Sequence, residues 1–270
     1  MRGAITQPPD PPAAHRVAAT STASAPDDAV VAARLRETGL VMVDGLFGRS
    51  AVLTFAARFM TVVPHRDSDP DGLTTIRHTR RHGDRPGFAG FGSGELAAHT
   101  EGSAVPVPPR LMLLVCERDA DVGGECLLTD GRAVHAELLA QCPDAVAMLS
   151  GPRTVYFGAG NGHLSQVFTA YPGGRVSVRL RQDGLARWSP LVSPYVPYLR
   201  EAVARHQHTV RLSSGQAYLL DNRRWLHART EFRGERRFLR ALGEPRLSLP
   251  EGFTVAPEAG GVLSTAKEAA

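Results

Sequence analysis

Lysine is almost missing from this chain: Lys267 is the only one, and arginine supplies every other basic side chain. That is the pattern of a GC-rich coding bias. The arginines are scattered among acids with no long basic run, so the net charge of +4 does not argue for a nucleic-acid partner. Cysteine is equally scarce. Cys116, Cys126 and Cys142 make an odd count without a CxxC spacing, which speaks against a disulfide framework and for a reducing cytoplasm. No apolar run is long enough to span a membrane, and no internal repeat is visible. The N-terminal MRGAITQPPDPPAAHRVAATSTASAPDD lacks the charged-then-apolar layout of an export signal and reads as a disordered Pro/Ala/Ser tail, residues 1–28.

The remainder has an ordinary globular composition, 43% hydrophobic and 21% charged, so a single packed domain is predicted over residues 29–250. Residues 251–270 read as a flexible C-terminal tail. Helical spacing of Val30, Ala33 and Leu35 predicts a helix from Asp28 to Glu37, closed by Gly39. Ser50 opens a second helix through Phe59, after a short apolar strand in LVMVDGLF. Residues 64–94 form a long polar loop with a short strand at Leu73 to Arg77. Further helices are predicted at 133–139, 143–149 and 196–209. Strands are predicted at 110–117, 154–157, 167–170, 175–180, 216–221 and 236–242, with a short one inside DVGGECLLTDG. Many short strands between Gly-rich turns, with helices added, favour a mainly β fold with flanking helices, a sandwich or jelly roll.

The chemistry lies in His99-Thr100-Glu101 and, far downstream, His227. On an extended segment residues two apart share a face, so His99 and Glu101 point the same way. One distant imidazole completes two nitrogens and a carboxylate on one side of a metal, the facial triad that holds non-haem Fe(II) with three positions open. Such a pair alone is more often a metal-free surface feature; His227, just after the predicted 216–221 strand, and the arginines beyond it shift the balance. Arg236, Phe238 and Arg240 fall on one face of a strand returning from the Gly234 turn, and Arg237, Leu239 and Ala241 on the other. An arginine fork suits the far carboxylate of a dicarboxylic cosubstrate. Arg236 is preferred for it over Arg237, the alternative for either being a solvent-facing ion pair with Glu235 or Glu244.

The stretches FGSGELAAHTEGSAVPVPPRLMLLVC, DVGGECLLTDGRAVHAEL and LLDNRRWLHARTEFRGERRFLRALGEP, with the weaker LRETGLVMVDGLF, span most of residues 30–247. Together they resemble the taurine dioxygenase and clavaminate synthase-like group of Fe(II)/2-oxoglutarate-dependent oxygenases. The resemblance implies a double-stranded β-helix (jelly roll) with Fe(II) held by His99, Glu101 and His227. It implies 2-oxoglutarate and O2 as cosubstrates, with Arg236 on the far carboxylate of 2-oxoglutarate. Arg240, four residues on, is the candidate for the near end of the cosubstrate or for a substrate carboxylate. Glu101 replaces the more common aspartate and argues against halogenation, since similar halogenases carry a small residue there. Cys126 stands where many relatives place a threonine that binds 2-oxoglutarate, and Ala228 where a glycine often follows the distal histidine.

The expected activity is hydroxylation of an aliphatic C–H bond in a small molecule, most simply an amino acid or amino-acid-derived natural-product intermediate, free or carrier-bound, with succinate and CO2 as co-products. The alternatives are the same chemistry on another small acid, with desaturation or cyclisation as the outcome, and a non-catalytic jelly roll that binds a small acid or metal. His78 and His82 are expected in a solvated loop and Asn161-Gly162-His163 in a plain turn. Trp188 and Trp225 are expected to pack, and one of Arg179 and Arg181 is a weaker candidate for a substrate carboxylate.

Overall fold

Leu111, Leu113 and Val115 leave one side of the strand Leu111–Arg118, and Met112, Leu114 and Cys116 leave the other; all six are buried. A strand covered on both faces must lie between two further layers. A computed structural model, describing residues 16–17, 27–79 and 87–255, shows which. The strand is central in a major sheet of seven, ordered Arg16–Val17, Leu40–Val43, Ala217–Asp221, Leu111–Arg118, Arg237–Pro245 and Met60–Val62, with Thr74–Arg77 also on Arg237–Pro245. A minor sheet of four runs Gln207–Val210, Cys126–Asp130, Trp225–Arg229 and Leu96–His99.

The core divides by strand parity. Leu111, Leu113, Val115, Leu219, Leu239 and Ala241 pack outward against the first two helices, α1 (Asp28–Thr38) and α2 (Gly48–Phe59), through Val31, Leu35, Val52 and Phe55. Met112, Leu114, Cys116, Tyr218, Phe238 and Leu242 face inward and meet Cys126, Leu128, Val210 and Trp225 of the minor sheet. The outer side of the minor sheet, with Leu127, Leu226 and Ala228, is covered by α3 (Gly131–Gln141), α4 (Pro143–Ser150) and α5 (Val196–Arg205). Two facing sheets between helical layers are the double-stranded β-helix with flanking helices. Asp27 caps α1 by accepting from the Ala29 N–H at 2.8 Å, and Gly39 ends it in the left-handed conformation, φ 67°.

Several expectations change. The helix expected over 196–209 stops at Arg205, and Gln207–Val210 is the edge strand of the minor sheet, paired with Cys126–Asp130. Thr209 and Val210 bury on opposite faces there, and pairing outweighs helical periodicity. His227 does come after the Ala217–Asp221 strand, but it occupies the middle of a further strand, because the Asp221–Arg224 turn is tight enough for that strand to begin at Trp225. Phe253–Thr254, expected in the tail, pair with Arg175–Val178, and Phe253 is buried. Of the expected N-terminal tail, Arg16–Val17 pair in parallel with Leu40–Val43 and Asp28 begins α1; the other residues before Asp27, and His82, lie outside the described residues. No helix among the described residues is long and apolar enough to cross a membrane.

His135 of α3 carries a pH dependence. Its ring is buried edge-on to Phe168 at 4.9 Å, with Nδ1 unpartnered among the described residues, and burial lowers its pKa. A histidine depressed in the folded state is protonated more readily in the unfolded chain. Its contribution is therefore complete above the unfolded value near 6.5 and is lost as pH falls towards the folded one. Chemical denaturation at about pH 7.5 and about pH 5.5 will show wild type losing more stability than His135→Leu over that interval. Equal losses would mean His135 is not buried in neutral form.

Candidate metal centre

The antiparallel register sets His99 directly opposite His227, and parity turns both rings to the inner face, with centroids 4.1 Å apart. Beyond His99 the chain leaves the sheet at Thr100, whose N–H donates to the Leu180 carbonyl at 2.8 Å. The backbone of Glu101 is then held by one side chain. Asn222 Oδ1 accepts from the Glu101 N–H at 2.7 Å, and its Nδ2 donates to the carbonyls of Glu101 at 2.9 Å and Pro109 at 2.8 Å. Glu101 Oε1 thereby sits 3.4 Å from His227 Nε2, and one donor atom from each of His99, Glu101 and His227 lies within 4.8 Å of the others.

Protonation states suit a metal. Burial first, then the His227 ring, push His99 down to about 3, so its imidazole is neutral. Its Nδ1 is bonded to the Ala97 carbonyl at 2.9 Å, which leaves Nε2 as the free ligand atom. Burial opposes ionisation of Glu101, but Arg240 and then His227 outweigh it and hold the carboxyl well below the usual range. A neutral His99, an ionised Glu101 and the buried His227 ring offer two imidazoles and one carboxylate, a donor set that fits a divalent cation of borderline softness.

The arginines separate cleanly. Arg236 is 5% exposed and lies over the Phe238 ring, 3.7 Å from its centroid. It donates to the Gly124 carbonyl at 3.2 Å and approaches Cys126 Sγ at 3.8 Å, with no carboxylate partner among the described residues. Burial pushes the Cys126 thiol up despite Arg236, so the sulfur stays protonated. Arg237 turns outward to Glu117 at 2.9 Å, a bulge between Arg237 and Phe238 separating the two directions. Arg240 reaches Glu101 Oε1 at 2.6 Å, and its Nε is buried without a partner among the described residues. Arg181 is held by Asp183 at 2.7 and 2.6 Å, while Arg179 braces the carbonyls of Val105 and Pro106. His78 is exposed, His163 opens a strand, and Trp225 is buried with its Nε1–H on the Thr38 carbonyl. A cavity of about 680 Å³ is lined by Arg49, Asp69, Thr75, Phe88, Glu117 and Arg237, and no triad residue borders it.

Sequence reasoning gave no role to Asn222, Arg229 or the half-buried His65, whose pKa is lowered by burial and then by the charge of Arg240. Asn222 stands in the motif-bearing stretch, but an amide that grips a backbone 121 residues away leaves no local pattern. Asn222→Ala removes both side-chain bonds to the Glu101 backbone. Metal affinity will fall about ten- to hundredfold by titration calorimetry, as for other partners that orient a ligand. Unchanged affinity would show that Glu101 is aimed by other contacts.

The protein-family model for "Taurine catabolism dioxygenase TauD, TfdA family" matches residues 6–242. No curated protein sequence matches the chain. Among solved structures, asparagine oxygenase in complex with Fe(II), 2S,3S-3-hydroxyasparagine and succinate is similar with a TM-score of 0.65 and 17% identity, over 79% of this chain and 78% of that one. The non-heme iron oxygenase OrfP, in complex with Fe and alpha-ketoglutaric acid, is similar with a TM-score of 0.63 and 16% identity, over 80% and 78%. PvcB from Pseudomonas aeruginosa follows with a TM-score of 0.62 and 14% identity, over 80% and 79%. At these identities the likeness concerns the fold.

Proposed function

The chain belongs to the TauD/TfdA dioxygenase family, and from that premise we propose that it is an Fe(II)- and 2-oxoglutarate-dependent oxygenase that hydroxylates an aliphatic C–H bond of an amino acid or amino-acid-derived intermediate. The observation that carries this reading is the convergence of His99, Glu101 and His227 within 4.8 Å, on the same inner side as the carboxylate-free guanidinium of Arg236. His99, Glu101 and His227 hold the metal. Arg236 receives the far carboxylate of 2-oxoglutarate, with Cys126 beside it in place of a hydroxyl donor. With both cosubstrates bound, Fe(II) supplies oxidative decarboxylation to succinate and CO2 and the oxidation of the C–H bond. Asn222 orients Glu101, and the apolar inner faces of both sheets keep water from the reacting centre.

Arg240 is the residue for the near end of 2-oxoglutarate or for a substrate carboxylate. It stands on the same face as Arg236 and beside the triad, placed to orient a substrate carboxylate towards the metal. Asparagine oxygenase is known with hydroxyasparagine and OrfP with (3S)-hydroxy-L-Arg, and both share this fold, which supports an amino-acid substrate here, free or carrier-tethered. The catalytic unit is one domain, running from α1 through the Phe253–Thr254 strand rather than ending at residue 250. It works in a reducing cytoplasm, where the free thiols of Cys116, Cys126 and Cys142 persist.

The test is anaerobic addition of Fe(II) and then 2-oxoglutarate to metal-free protein, watching for the visible charge-transfer band of a chelated oxoacid. The band will form in wild type and weaken in Glu101→Ala and Arg236→Ala. Its absence at saturating cosubstrate would move the small-acid-binding reading ahead. Substrate-stimulated succinate formation, lost in His99→Ala, would exclude that binding protein.

A further inference from the structure

Arg229 lies two residues beyond His227 on the same inner face and is 4% exposed. Its guanidinium donates to three carbonyls of one glycine-rich turn: Gly90 at 3.1 Å, Gly92 at 2.9 Å and Gly94 at 2.5 Å. That turn leads into the His99 strand, which begins at Leu96. The Phe232 N–H adds a bond to the Ser93 carbonyl at 2.9 Å. One side chain therefore ties the strand of the distal histidine to the approach of the other.

Its charge is not neutralised. Neither Arg229 nor Arg236 touches a carboxylate among the described residues. Both guanidiniums face the ring of Phe232, at 4.9 and 5.6 Å from its centroid. Two buried like charges against one ring repel, and carbonyl dipoles offset only part of that repulsion.

We propose that Arg229 is a positioning residue that couples the cosubstrate to the turn 88–94: an anion on Arg236 offsets the repulsion at Arg229, whose three carbonyl bonds tighten and hold the approach to His99. The inference rests on the reading of Arg236 given under Proposed function. It goes beyond that reading by giving the far carboxylate a second task, the ordering of a turn it does not touch. A merely structural strut would brace the turn equally with and without the anion.

Hydrogen exchange of the amides in residues 88–94 tests this in the full-length Mn(II)-loaded protein, without oxygen. Saturating 2-oxoglutarate will slow exchange about three- to tenfold in wild type. Saturating 2-oxobutyrate, which has the same oxoacid end but no far carboxylate, will leave it within about twofold. Arg229→Lys keeps a charge but cannot reach three carbonyls, so it will bind 2-oxoglutarate yet leave the turn unresponsive. Equal slowing by the two oxoacids, a response retained in Arg229→Lys, or binding to wild type without slowing would each overturn the inference and leave the oxygenase reading standing. Failure of wild type to bind 2-oxoglutarate would overturn both. If Arg229→Lys does not fold, the two oxoacids on wild type decide the matter.

Discussion

Glu101→Ala will lower Fe(II) affinity by about a hundredfold or more and take succinate formation below about 1% of wild type, a larger loss than the ten- to hundredfold typical of partners that only orient a ligand. Glu101 is the one anionic donor among the three. Without it two imidazoles face a divalent cation with no anionic donor, and Arg240, which now spends its charge on Glu101 at 2.6 Å, is left as an uncompensated cation beside the metal. Loss of the donor and gain of the repulsion act in the same direction. Anaerobic calorimetry with Fe(II), alongside succinate measurement, reads both effects. Glu101→Asp keeps the charge on a shorter arm and will retain a measurable fraction of metal binding. Wild-type affinity in Glu101→Ala would remove the carboxylate from the metal site.

Arg236→Met will raise the KM for 2-oxoglutarate by about a hundred- to a thousandfold. A charge-assisted hydrogen bond is worth about 1.5–3 kcal/mol, and the fork can make two to one carboxylate. Two such bonds total about 3–6 kcal/mol, and the lower part of that sum, about 3–4 kcal/mol, corresponds to that range at about 1.4 kcal/mol per tenfold. Methionine replaces the guanidinium over Phe238 with a flexible thioether that can pack against the ring, so folding and Fe(II) affinity will change little, which separates this variant from Glu101→Ala. Arg237→Met will alter the KM by less than about twofold, because its partner is the outward Glu117 in a half-exposed pair. Equal effects of the two substitutions would contradict the separation of their directions.

The alternation of the 236–242 segment is legible in its residues alone: Arg236, Phe238 and Arg240 share one side. Which side is inner is not. Both faces of the strand Arg237–Pro245 are buried, with Phe238 and Leu242 between the sheets and Leu239 and Ala241 under the helices, so hydrophobicity does not distinguish them. The bulge at Arg237 that divides the arginines depends on pairing with Leu111–Arg118, a segment more than a hundred residues earlier. Gln207–Val210 escapes a local reading for a related reason. A short stretch following a helix carries too few residues to set period 2 against period 3.6, and only its partner Cys126–Asp130 makes it a strand.

The candidate metal donors themselves were legible in the sequence. His-x-Glu on an extended segment points two donors one way whatever surrounds it, and a third histidine followed by alternating arginines narrows the chemistry to a metal beside an anion. Helix α1 with its Gly39 cap and the mainly β class with flanking helices were set in the same way, by local pattern. The tertiary structure alone decided what holds those donors in place. Asn222 aims Glu101, Arg229 braces the turn before His99, and Arg240 pairs with Glu101. Each is a polar contact between residues more than a hundred positions apart, which no local periodicity encodes and only the stacking of the two sheets brings together.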